Sequence, residues 1–284
     1  MWKIEFYLLP SQSYQRISLD EAIAFDENVI HVKENDSVVV PGEFYEIADE
    51  QGINAISYFY ENDATDISTY LLEIISKQKH CDETYRTIQD KEVKGYLALT
   101  KTDTALEDRE LIVYQTKEEY NYGVVKISDV IKVKRRYLRL SKNYDSFQKQ
   151  VEYCFPSLIF HKDAFRNMKK MGKFSDVVEE LSRHLMALND YGKRIYEECE
   201  GDEEKALNHL RSTCKITCSG KGSNENLKFK QNMFVHGKEY KITCNAHTKF
   251  YEGYNDQRIY FSWGRKEIQN HKLIIIRIGV HWEK

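Results

Sequence analysis

Gln257-Arg-Ile-Tyr-Phe-Ser-Trp-Gly-Arg265 and His271-Lys-Leu-Ile-Ile-Ile-Arg-Ile-Gly-Val-His-Trp282 decide how the last part of this chain is read. With Glu239-Tyr-Lys-Ile-Thr-Cys-Asn-Ala-His-Thr-Lys-Phe250 they form three strand-like runs in which His, Lys, Arg and Tyr recur among apolar residues. Side chains alternate between the two sides of a strand. Polar groups at alternate positions of neighbouring strands therefore gather on one sheet face. Strands are expected at about 227–235, 239–246, 257–263 and 272–280.

Working backwards, Ser219-Gly-Lys-Gly-Ser-Asn-Glu-Asn226 reads as a loop. Two helices precede it. Phe174 to Glu197 carries the apolar stripe Val178, Leu181, Leu185, Leu188 and Ile195, with Ser175 as cap and Gly192 as a kink. A second helix runs through Lys205-Ala-Leu-Asn-His-Leu210 after the acidic turn Gly201-Asp-Glu-Glu204. Residues 144–284 thus read as helices followed by an antiparallel sheet.

Residues 1–143 read as a strand-rich domain, making the whole chain α+β. Strands are expected at 2–9, Val29–Val32, Asp36–Pro41, Ala55–Tyr60, Gly95–Leu99, Glu110–Tyr114 and Gly123–Ile127. Helices are expected at Leu19–Ala24, with Ser18 and Glu21 placed for a capping box, and at Ile67–Lys79. Lys132-Val-Lys-Arg-Arg-Tyr-Leu-Arg-Leu140 reads as a basic strand, either touching nucleic-acid phosphates or guarding a sheet edge with charge.

A length of 284 residues suits about two domains. No run approaches the roughly 20 apolar residues of a membrane helix. Met1-Trp-Lys-Ile-Glu-Phe-Tyr-Leu-Leu-Pro10 alternates like a first strand rather than a secretion signal, so a cytoplasmic location is expected. Six scattered cysteines would then be reduced. Cys214-x3-Cys218 with Cys244-x2-His247 lacks a second close pair of zinc-finger spacing, and Ser219-Gly-Lys-Gly-Ser223 lacks the full phosphate-loop spacing. No metal and no cofactor are expected.

The charge is strongly uneven. Residues 1–124 hold 11 Lys and Arg against 25 Asp and Glu, a balance of −14. Residues 205–284 hold 15 against 6, a balance of +9. A basic end suits a polyanion, and an acidic start suits a protein partner, an oligomer contact or a cover for the basic end.

Metal-free cleavage of RNA needs a base, an acid and cations around the phosphate. His281, Glu239 and His247 are the candidates for proton transfer. Lys249, Arg258, Arg265 and Arg277 are candidates to hold phosphate, and Tyr260 to stack on a base. The closing pattern Arg277-Ile-Gly-Val-His281-Trp282, after two helices and a sheet, resembles the RelE and YoeB family of messenger-RNA interferase toxins. The resemblance covers at most 175–284. It implies a compact helix–helix–sheet ribonuclease with Arg277, His281 and Trp282 at its site, and a role in toxin or phage-defence systems. Trp282 stands where the family carries Tyr, which removes a hydroxyl. The alternative reading is a non-catalytic nucleic-acid-binding or protein-interaction subunit of a bacterial defence complex.

Overall fold

The computed structural model describes residues 3–61, 65–99, 122–220, 229–235, 237–244, 246–250 and 256–281. The chain is α+β and divides into two compact units, Met1–Tyr137 and Leu138–Lys284.

The first unit is built on five described strands: β1 (Glu5–Leu9), β2 (Ser37–Pro41), β3 (Lys79–Cys81), β4 (Lys94–Ala98) and β5 (Gly123–Val124). They lie in the order β3–β2–β1–β4–β5, and each pair is parallel. Parallel strands need crossover connections, and α1 (Leu19–Lys33), α2 (Asp66–Ser76) and α3 (Tyr85–Gln89) lie in those from β1 to β4. A further helix, α4 (Ile127–Arg139), follows β5. Phe6 and Leu8 enter one core with Phe25, Val29 and Val32 of α1, Leu71 and Ile75 of α2, and Val130, Val133 and Tyr137 of α4. Tyr7 and Leu9 point the other way, against Tyr85, Ile88 and Tyr96. Burial on both faces explains why these strands read as apolar runs.

Three expected strands of this unit are helical. Val29–Val32 belongs to α1, because Ala22, Phe25, Val29 and Val32 share one buried stripe at helical spacing. Lys132–Leu140 lies largely in α4, where Val130, Val133 and Tyr137 face the core and the cations occupy the remaining sides of the helix. Its cations are largely engaged within the unit: Lys134 pairs with Asp36 at 3.0 Å, Lys132 with Asp129 at 2.9 Å, and Arg136 lies over the Tyr122 ring. Ala55–Tyr60 runs into a π-helical turn, Ser57–Glu61. Glu110–Tyr114 lies outside the described residues. The Ser18 and Glu21 capping box forms in both directions.

The second unit opens with α5 (Tyr144–Cys154), β6 (Leu158–Phe160), α6 (Phe174–Ala187), α7 (Lys193–Glu198) and α8 (Glu203–Cys214). Lys173, not Ser175, is the N-cap of α6; the Ser175 hydroxyl bonds Asp176 instead. A π-helical turn, Leu188–Gly192, joins α6 to α7. Leu273 closes against Gly192, where an added Cβ would lie 2.6 Å from a Leu273 methyl. Strands β7 (Thr217–Gly220), β10 (Ala246–Lys249), β11 (Gln257–Ser262) and β12 (Leu273–Val280) are antiparallel neighbours in the order β12–β11–β10–β7. The edge strand β6 pairs with β12 in parallel. Strands β8 (Phe229–Val235) and β9 (Lys238–Cys244) form a separate hairpin. Its Val235, Ile242 and Cys244 pack with Tyr260, Ile274 and Ile276 of the main sheet.

Among the described residues, no helix is long and apolar enough to cross a membrane.

Candidate functional site

Strand register gathers many of the sequence-selected residues. His247 lies opposite Ser219 on one side and Tyr260 on the other, and Tyr260 lies opposite Arg277. Two residues along, Lys249 lies opposite Arg258. Opposed residues point to the same side, so His247, Lys249, Arg258, Tyr260 and Arg277 share one sheet face.

Their surroundings differ. His247 Nε2 is 3.1 Å from the Ser219 hydroxyl, and its ring centroid is 5.4 Å from that of Tyr260. Arg258 is buried, and it donates to the Gln257 carbonyl at 2.9 Å. Tyr260 is only 2% exposed and is walled in by the hairpin core. The expectation that it stacks on a base is therefore corrected, because no open ring face remains. Trp263 is likewise a core residue, stacked on Tyr196 at 4.7 Å.

Other candidates lie apart. Glu239 is exposed on the hairpin, opposite Phe234. Arg265 is exposed in the turn after β11. His281 is exposed just past β12, about 13 Å along the strand from Arg277 at the ordinary rise per residue. Trp282 lies outside the described residues. The three proton-transfer candidates His281, Glu239 and His247 thus sit on three separate elements rather than in one cluster.

A cleft of about 600 Å³ opens beside Arg277. It is lined by His161, Asp163, Arg166, Asn167, Lys170, Gln231, Ile276 and Arg277. Three elements build it. The segment after β6 runs along β12: His161 N–H donates to the Ile275 carbonyl at 2.9 Å, and Ile278 N–H to the Ala164 carbonyl at 2.7 Å. Asn167 forms a parallel bridge with Gly279. Strand β8 closes the third side with Gln231.

His161 is a structural pin. Its Nδ1 accepts the Asp163 backbone N–H at 3.2 Å, which leaves Nε2 to donate to the Asn232 carbonyl, also at 3.2 Å. Both ring nitrogens are engaged, so the imidazole ties the β6 segment to β8. Arg166 and Lys170 are exposed at the rim and form no ion pair among the described residues. Arg277 is half-buried; loss of water lowers its pKa from the ordinary value, yet a guanidinium stays charged. Asp163, half-exposed, supplies the lining's carboxylate. Three cations against one carboxylate make a field that favours an anion.

Sequence reasoning found Arg277 but missed Arg166, Lys170 and Gln231. Lys162, Arg166, Lys169 and Lys170 cluster within nine residues, and that density was the available signal.

The zinc arrangement does not assemble. Register places Cys218 opposite Thr248 and Ser219 opposite His247, so Cys218 and His247 point to opposite faces. Among the described residues, no three His, Cys, Asp or Glu side chains gather as metal ligands. No protein-family model, no curated protein and no solved structure matches this chain.

Proposed function

We propose that the second unit binds single-stranded RNA, with the Arg166–Lys170–Arg277 cleft seating its phosphates, and that it acts in a toxin-like or phage-defence role. The carrying observation is a built cleft in which three cations face one carboxylate. Arginine fits phosphate through its fork of donors, and a half-dehydrated guanidinium gains more from an arriving anion than one in open water. The +9 balance of residues 205–284 adds a favourable long-range field. Two further features support the interferase resemblance: helices precede the antiparallel strands, and Arg277 lies in the last of these strands with His281 just past its end.

Cleavage would be metal-independent. His281 would take the 2′-hydroxyl proton as that oxygen attacks the phosphorus and return it to the 5′-oxygen as the P–O5′ bond breaks, giving a 2′,3′-cyclic phosphate and a 5′-hydroxyl end, while Arg277 would hold a neighbouring phosphate. The preference for RNA over DNA follows from that chemistry, since only RNA carries the nucleophile.

The test incubates the full chain with labelled single-stranded RNA and DNA, with and without EDTA, beside Arg166→Glu/Lys170→Glu and His281→Ala. Binding lost in the double variant supports the cleft. EDTA-resistant cutting of RNA alone, lost in His281→Ala, supports the ribonuclease. Binding without cutting leaves a nucleic-acid-binding subunit. Absence of RNA binding at physiological salt overturns the proposal.

A further inference from the structure

The outer face of α1 carries an unusual pattern. Leu19, Ile23 and Ile30 are 53%, 42% and 59% exposed. At 100° per residue they fall within about 40° of one another, a ridge about 16 Å long. Single exposed apolar residues are ordinary, but three aligned on one helix make a patch. Asp20, Glu27 and Glu34 are exposed along one side of that ridge. On its other side Asp26 accepts the Tyr70 hydroxyl at 2.8 Å. Lys33 is the cation on this face.

We propose that this face of α1 docks a cationic amphipathic helix of a partner protein. The occupant follows from charge. Leucine-like side chains at helical spacing would cover Leu19, Ile23 and Ile30, while Lys or Arg beside them meets Asp20, Glu27 and Glu34. A second copy of α1 would bring acids against acids, which costs binding. An anionic membrane is disfavoured for the same reason, and residues 1–124 carry a balance of −14. The capping box at Ser18 and Glu21 holds the helix start in place, so the ridge is presented on an ordered element.

The test uses the full chain and two labelled helical peptides of about 14 residues, one of leucine and lysine and one of leucine and glutamate. Binding is followed by fluorescence anisotropy, and light scattering reports the size of the protein alone. Ile23→Ser/Ile30→Ser removes the ridge, and Glu27→Lys/Glu34→Lys reverses its flank. All four positions are exposed, so circular dichroism melts are expected to stay close to those of the parent. The leucine–lysine peptide should bind, and each double variant should weaken it at least about tenfold, on the ordinary scale of interface truncations. Three results overturn the proposal: no binding of the cationic peptide, equal binding of the anionic one, or unchanged binding by Ile23→Ser/Ile30→Ser. A parent dimer that becomes monomeric in Ile23→Ser/Ile30→Ser also overturns it, because the occupant is then a second copy.

Discussion

Asn167 occupies the space that a side chain on Gly279 would need: a Cβ added to Gly279 would lie 3.0 Å from the Asn167 Cβ and 3.2 Å from its carbonyl oxygen. The bridge between these residues holds the segment with Arg166 and Lys170 alongside β12, and so holds one wall of the cleft. Gly279→Val should push that wall away and cost about 1–3 kcal/mol, the ordinary scale of overpacking. Urea unfolding measures the cost. RNA affinity, measured on the variant while still folded, should fall with it.

Charge reversal at Arg166 and Lys170 should change the salt response as well as the affinity. Three phosphate contacts on a single strand correspond to a slope of about −2 in log K against log salt, and a weakening of roughly tenfold to twentyfold between 50 and 200 mM. Arg166→Glu/Lys170→Glu should flatten the slope by about one or more. An unchanged slope would place the phosphates elsewhere.

Arg277→Lys should not restore what Arg277→Ala loses. The half-buried position suits a planar fork with delocalised charge, whereas an ammonium is a strongly hydrated point charge. Paired binding curves for the two variants check this, with weakening of about tenfold or more expected in both.

His184 should make stability fall in mild acid. It is fully buried against Phe250, with ring centroids 4.7 Å apart. Burial holds its pKa down to about 4; the Glu180 carboxylate 3.2 Å away opposes this, and Arg183 adds to it. The unfolded chain protonates near 6.5 and the folded chain only near 4. The unfolded state therefore binds more protons between those values, and stability drops as pH falls through that window by up to about 3 kcal/mol. His184→Leu should flatten this part of the pH profile in urea unfolding.

A second acid step should come from Glu5. The Lys79 ammonium, 2.8 Å away, and the Tyr7 hydroxyl, 2.6 Å away, hold its pKa down to about 2. The resulting stability is present above the ordinary carboxylate value of 4.5 and is lost as pH falls toward 2. Glu5→Gln should remove that step. Because the pair faces water, its size should be about 1 kcal/mol.

Local signals were read well where one helical turn suffices. Ser18 and Glu21 announce the start of α1, and the stripe from Val178 to Ile195 announces α6 and α7, since capping and apolar spacing act over three or four residues. Local signals misled where two periods overlap. In Lys132–Leu140 the cations alternate loosely with apolar residues, as in a strand, but Val130, Val133 and Tyr137 meet the core only at helical spacing. Val29–Val32 looks like a strand for its β-branched residues, and packing of α1 on the parallel sheet overrides that preference. At the site, Arg277 was legible because it interrupts an apolar strand. Arg166 and Lys170 were not, because Arg166 lies in a turn and Lys170 in a single 3-10 turn, Met168–Met171, too short for a period to show.

The sequence by itself determined the acidic first part and basic last part, the order of helices before strands in the second, and, within β11 and within β12, which residues point to the same side. Each follows from composition or from a period of two or 3.6 residues, and both are local properties. Only the tertiary structure decided that the first sheet is parallel, that β6 lies beside β12, and that Arg166 and Lys170 stand next to Arg277. The physical reason is that periodicity sets the side on which a residue points but not the strand that becomes its neighbour. Neighbours are chosen by the packing of residues distant in sequence, as Asn167 against Gly279 demonstrates.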